Sequence, residues 1–128
     1  MGKAERNILL SKMVTADLFF KAEVVSLILS KDPEKSLELL SQHYGVTKPS
    51  LKVGMPKRYS KKVACYVSKK RTIHFSCREA LYNPHVILHE FYHHLRNFTD
   101  AQRSIEKYAN EFVENYLQAY KIISAQFV

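Results

Sequence analysis

The chain has 128 residues, 46% of them hydrophobic, and a formal net charge of +8. That supports one globular domain with a modest core, expected over 1–128. No run approaches about 18 uncharged apolar residues, because Asp17, Lys21 and Glu23 interrupt Met13 to Leu29, so a membrane-spanning helix is excluded. Asp17 and Lys21 also break any secretory leader, and a cytoplasmic location is expected by default.

Residues 4–29 are apolar-rich and predict a first helix. Asp32-Pro33 caps and starts a second, running to about Tyr44, where Gly45 stops it. Leu51 to Met55 is a candidate strand. Val63, Cys65 and Val67 alternate with Lys62, Ala64 and Tyr66, which predicts another. Ile73, Phe75 and Cys77 alternate with Thr72, His74 and Ser76 in a third. The last two are expected to form a hairpin around Lys69-Lys70.

If the apolar sets of that hairpin share a buried face, Cys65 falls opposite Ile73 or Phe75 and Cys77 lies diagonal or farther. Diagonal neighbours stand roughly 7–8 Å apart, too far for an easy disulfide. The cysteine spacing matches no C-x-x-C metal pair. Two buried free thiols are expected, in keeping with a reducing compartment. The segment Arg71 to Cys77 leads to the next helix through a short loop. It is the candidate edge on which an extended peptide would pair, the alternative being an ordinary core strand.

Seven of the fifteen residues from Lys57 to Arg71 are basic: Lys57, Arg58, Lys61, Lys62, Lys69, Lys70 and Arg71, with no acid among them. Such a patch can track nucleic-acid phosphates or guide an acidic partner. It is also what a solvated, aggregation-resistant hairpin looks like. No helix-turn-helix or zinc-finger signature supports sequence-specific DNA reading.

Asn83-Pro84 gives a favoured N-cap followed by proline at the first helical position. The helix is expected over His85 to Arg96, with Ile87, Leu88, Phe91 and Leu95 as its apolar stripe and Asn97 as a left-handed stop. Within it lies His89-Glu90-Phe91-Tyr92-His93, an intact H-E-x-x-H motif. Residues four apart stack on one helix face, so His89 and His93 can offer two imidazole nitrogens to one metal ion. Zn²⁺ suits such a site, and Glu90 stands close enough to take a proton from a water activated there. His94 points about 100° away and is not expected to be a ligand. His85, one turn earlier, is expected to line the cleft.

Thr99 to Gln102 reads as a capping box that opens a long last helix to about Ser124. Its stripe includes Ile105, Ala109, Phe112, Tyr116, Ala119 and Ile123. An antiparallel return of this helix would bring Glu106 alongside the two histidines as a third ligand. Glu111 and Glu114 compete for that role, and Asp100 is too close to the turn.

The residues His89-Glu90-x-x-His93, followed by Glu106-x-x-Ala109-Asn110-x-Phe112, resemble the gluzincin pattern and within it the ImmA/IrrE-like family of small metallopeptidases. The resemblance implies zinc held by His89, His93 and Glu106, Glu90 as catalytic base, and Asn110 orienting a ligand from behind. The metzincin pattern does not fit, since its glycine position is Arg96 and its last ligand position Thr99. Classes that take a later third histidine are also disfavoured, because none follows His94. The expectation is an α+β, zincin-like fold: two N-terminal helices, a small three-stranded sheet, the H-E-x-x-H helix and a long C-terminal helix. The expected activity is zinc-dependent peptide hydrolysis on a peptide or protein substrate, with a regulatory protein among the candidates. Tyr92, His85 and His74 are candidate donors to the oxyanion. The rival is a basic nucleic-acid-binding or regulatory module that keeps a structural or vestigial metal site.

Overall fold

The computed structural model describes residues 3–98 and 106–126, with the backbone alone for 3–10. It is α+β. Helices α1 (Lys3–Leu29) and α2 (Pro33–Tyr44) precede strands β1 (Ser50–Val53), β2 (Ala64–Val67) and β3 (Thr72–Phe75), and helices α3 (Pro84–Asn97) and α4 (Glu106–Gln126) follow. The expected capping box at Thr99 to Gln102, Asp100 within it, and Ile105 lie outside the described residues. No helix among the described residues is long and apolar enough to cross a membrane.

Local chemistry sets the helix boundaries. The Asp32 side chain accepts from the Lys35 N–H at 3.2 Å, and Pro33 opens α2 at a position where a missing N–H costs nothing. Gly45 closes α2 at φ 68°, a left-handed conformation that glycine adopts without a Cβ clash. Asn83 caps α3 by accepting from the His85 N–H at 3.0 Å, and Pro84 follows. The stop at Asn97 is corrected: Asn97 is the last helical residue. Phe98 ends α3 without turning left-handed, its N–H bonding the Leu95 carbonyl at 3.2 Å in a tighter final turn.

The sheet order is β1-β3-β2. β1 runs parallel to β3, and β2 forms the antiparallel hairpin with it. This topology decides two sequence expectations. β3 pairs on both sides, so the Arg71–Cys77 segment holds the core strand, its stated alternative, and the edges belong to β1 and β2. Tyr66 stands opposite Ile73, Ala64 opposite Phe75, and Cys65 opposite His74. The core face of β2 is therefore Ala64 and Tyr66, while Val63 is 57% exposed. A one-residue change of register turns every side chain to the other face. Here the register follows the short turn Ser68–Lys70, closed by Arg71 at φ 47° with its N–H on the Ser68 carbonyl. Both cysteines are free, but only Cys65 is buried. Cys77 is exposed because β3 ends two residues before it.

One hydrophobic cluster joins the layers. Val24, Val25 and Ile28 of α1, Leu37 and Leu40 of α2, Ile73 and Phe75 of β3, Ile87, Leu88 and Phe91 of α3, and Val113 and Tyr116 of α4 are all buried in it. On α4 the buried set Ala109, Val113, Tyr116 and Ala119 follows the helical period, and Phe112 is half-buried beside it. Phe112 packs its ring against Tyr92 and Phe91 of α3, at centroid distances of 5.6 and 6.4 Å. That contact fixes α4 beside α3 within two turns of Glu106. The hydroxyls of Tyr44 and Tyr116 meet at 2.6 Å and satisfy each other inside the core.

Phe91 is fully buried at the junction of α3, α4 and the Tyr44 ring. Phe91→Ala is expected to lower unfolding free energy by about 3–5 kcal/mol. Val63→Ser is expected to change it by less than about 0.5 kcal/mol, since that side chain stands in water. Urea denaturation of the metal-free chain measures both.

Candidate metal centre

Helix α3 carries two faces. Ile87, Leu88, Phe91 and His94 are buried, whereas His89, Glu90 and His93 are half-buried on the side turned toward β2 and the start of α4. A cavity of about 630 Å³ opens there, walled by Ala64, Cys65 and Tyr66 of β2, by His89, Glu90, His93, Arg96 and Asn97 of α3, and by Glu106.

His89, His93 and Glu106 converge. The two Nε2 atoms stand 3.4 Å apart, and the Glu106 carboxylate lies 2.8 Å from His89 Nε2 and 3.1 Å from His93 Nε2. One ligand atom from each residue falls within 4.8 Å of the others, the only such group found among the described residues. Two nitrogens about 2.0–2.1 Å from a tetrahedral zinc stand about 3.3–3.4 Å apart, which is the spacing seen. The carboxylate would open outward by a few tenths of an ångström, and at 69% exposure its side chain is free to do so. The donor set of two imidazoles and one carboxylate fits Zn²⁺ with a position to spare. Glu111 and Glu114, the competing acids, are exposed on α4 and do not join the group.

Glu90 lies beside this group against the strand edge. The Val63 carbonyl accepts from the Ser76 N–H just after β3, so by alternation the backbone groups of Ala64 and Tyr66 point away from β3. The Tyr66 N–H accordingly donates to the Glu90 carboxylate. Burial raises the Glu90 pKa above the usual carboxylate range, and the Glu106 charge adds to the rise. The charges of His89 and Lys62 and the Tyr66 hydrogen bond oppose it. Burial lowers the His93 pKa, with the facing Glu106 carboxylate opposing, and so favours the neutral imidazole that a metal requires. Burial and the Glu90 charge raise the pKa of the Cys65 thiol, which keeps it protonated.

Other sequence expectations land elsewhere. Tyr92 is buried under Phe112 with the Arg96 guanidinium over its ring, because its position on α3 turns it toward α4; it is no cleft donor. His74 sits on the opposite sheet face, its Nδ1 2.9 Å from the Gly54 carbonyl, outside the cavity wall. Gly54 presents that carbonyl at φ 128°, a backbone shape open to glycine. His85 stays exposed outside the wall, its ring 6.2 Å from that of His89. Asn110 is exposed on α4, one turn beyond Glu106. The basic patch divides: Lys62 lines this cavity, Arg71 lies over the Phe98 ring at 4.7 Å, and Lys61 is exposed beside neither.

The sequence did not reveal how β2 is held. His94 is fully buried, with Nε2 2.6 Å from the Thr47 carbonyl and Nδ1 2.7 Å from the Tyr66 hydroxyl. A carbonyl only accepts, so Nε2 carries the proton and Nδ1 accepts from Tyr66. The Tyr66 oxygen in turn accepts from Asn97 Nδ2 at 3.4 Å. Burial lowers the His94 pKa and favours this neutral form. The offset of His94 from the ligand row was the signal available, since it points the ring at the sheet.

Comparison with protein-family models, with curated proteins and with solved structures returns no match.

The raised Glu90 pKa has a stability consequence. A carboxyl whose folded pKa exceeds its unfolded value stabilises the fold below the unfolded pKa and loses that contribution as pH rises through the folded pKa. Glu90→Gln removes the ionisation and keeps an acceptor for the Tyr66 N–H. In chelator its melting midpoint should exceed the parent's at pH 7, with the gain disappearing as pH falls below the ordinary carboxylate range. A gain that persists unchanged at pH 4, followed by circular dichroism, would contradict the burial account.

Proposed function

We propose that the chain is a zinc-dependent metallopeptidase, zincin-like and of the gluzincin type, akin to the ImmA/IrrE-like enzymes whose motifs it resembles. The observation that carries this reading is the convergence of His89, His93 and Glu106 on one point, with Glu90 half-buried alongside and the free edge of β2 across the same cavity. His89 and His93 would hold the ion from one helix and Glu106 from the next. When bound, zinc supplies Lewis acidity and makes a water acidic enough to be deprotonated near neutral pH.

The protein residues then have separable tasks. An extended peptide adds to the β2 edge through the outward backbone groups of that strand, which places its amide beside Glu90. Glu90 takes a proton from the attacking water on a carboxylate oxygen and delivers it to the leaving amine nitrogen. Burial raises its pKa, the direction in which a carboxylate becomes a better proton acceptor. Lys62, whose charge already reaches Glu90 and His93, offsets negative charge on the carbonyl oxygen as water adds. A reducing, cytoplasmic setting goes with the two free cysteines.

Two variants separate metal binding from chemistry. Glu106→Gln replaces a charged ligand with a neutral one and should weaken zinc affinity by at least about tenfold. Glu90→Gln should retain zinc and lose roughly a hundredfold or more in peptide hydrolysis, the ordinary size of a general-base contribution. Equilibrium dialysis with elemental analysis and a quenched-peptide assay read the two effects. Zinc bound with no hydrolysis of any peptide would instead favour a structural or vestigial site, and unchanged hydrolysis in Glu90→Gln would sink the proposed mechanism.

A further inference from the structure

A second cavity, of about 760 Å³, adjoins the metal cleft, and the two share Tyr59, Tyr66 and Ser68 in their walls. It lies between the segment that follows β1, the turn at Lys57–Tyr59 and the hairpin turn at Ser68–Lys70, with His74 in its lining. Lys52, Lys57, Arg58, Lys69 and Lys70 surround it, and no Asp or Glu lines it. All five cations are exposed, and among the described residues none makes an ion pair. Like charges around a concave surface repel one another and focus a field that concentrates anions. The fold leaves this field uncompensated beside the metal cleft.

The two cavities lie along one line of backbone. β2 borders the metal cleft through Ala64 to Tyr66, and Val67 with the turn Ser68–Lys70 that follows it lies along the second cavity. A peptide paired to the edge of β2 would run from one into the other. We propose that the second cavity binds an acidic segment of the peptide whose scissile bond lies in the metal cleft. This rests on the peptidase reading and names the substrate class: chains with glutamate or aspartate close to the cut. Tyr66, whose N–H meets Glu90, marks the level of the reaction. Ser68 lies two residues farther, about 7 Å along the extended strand, and Lys69 and Lys70 follow in the short turn at about 2 Å per residue. The acidic side chains therefore belong two to four positions from the scissile bond. A strand edge that no other described strand pairs with, leading into the groove, favours a polypeptide, since a peptide backbone can pair with it and a sugar–phosphate backbone cannot.

The test uses the whole chain and three labelled probes. One is a peptide with three glutamates two to four positions from its central bond, made in two versions with the glutamates on either side. The second is its glutamine twin, and the third a single-stranded oligonucleotide of similar length. In chelator and low salt, fluorescence anisotropy should show one acidic version binding roughly tenfold tighter than its twin, the sum of three exposed ion pairs. The preference should vanish in 0.5 M salt and in Lys57→Glu/Arg58→Glu/Lys69→Glu/Lys70→Glu. Equal affinity for the acidic and glutamine peptides overturns the proposal without altering the protein at all. Tighter binding of the oligonucleotide overturns it in favour of nucleic acid. With zinc added, the acidic peptide should be cut with the higher kcat/KM. Equal cutting of both peptides overturns the groove alone, whereas acidic binding with no hydrolysis overturns the peptidase reading beneath it.

Discussion

Helix α3 has to bury Ile87, Leu88, Phe91 and His94 while leaving His89, Glu90 and His93 half-buried toward a cavity, and the rest of the structure is arranged around that division. A step of about 100° per residue makes it possible, because residues four apart share a face and their immediate neighbours do not. The apolar side ties α3 to α1, α2 and β3 through one core. The polar side is left to two neighbours, the edge of β2 and the first turn of α4. Glu106 closes the arrangement by bonding both imidazoles from a separate helix. Polar side chains held this way on rigid elements have little freedom to lose when a ligand arrives.

The cleft is also electrically uneven. Burial opposes charge on Glu90 and His93, while Glu106 stays exposed and Lys62 stands on the opposite wall. Groups pushed from their ordinary titration ranges by burial and by specific partners are what proton-transfer sites require, although ion-pair networks can do the same. His94 supports the cleft from behind. It couples the Thr47 carbonyl to the Tyr66 hydroxyl and so fixes β2 at the distance where the Tyr66 N–H reaches Glu90. One helix thus carries the candidate ligands on one side and the anchor of the facing strand on the other.

Much of this was legible in the sequence because it rests on local rules. Asp32, Asn83 and their following prolines announce helix starts, Gly45 announces an end, and the i, i+4 spacing of His89 and His93 sets their common face. Glu106 required a further assumption, that α4 returns along α3, and the Phe112 contact with Phe91 and Tyr92 provides for that return. The sheet was less legible. In four-residue strands the alternation of Val63, Cys65 and Val67 competes with that of Ala64 and Tyr66, and only the hairpin turn decides which set faces the core. That one-residue shift hid Tyr66. The edge was misjudged for another reason: β1 pairs with the far side of β3, which a pattern of alternation does not announce, and so β3 is central. Tyr92 was misplaced for a related reason: a helix of two functional faces leaves a third, and α4 covers it.

The central claim is that two histidines and one glutamate, and no cysteine, hold the metal. Cys65 is the residue to test against it, since it lines the same cavity although its thiol does not join the group. X-ray absorption at the zinc edge of the loaded chain separates the two directly. The expected spectrum shows only nitrogen and oxygen neighbours at about 2.0–2.2 Å, with the multiple scattering of two imidazoles. A sulfur shell at about 2.3 Å, or a single imidazole, would contradict the assignment of His89, His93 and Glu106 as the metal-binding set.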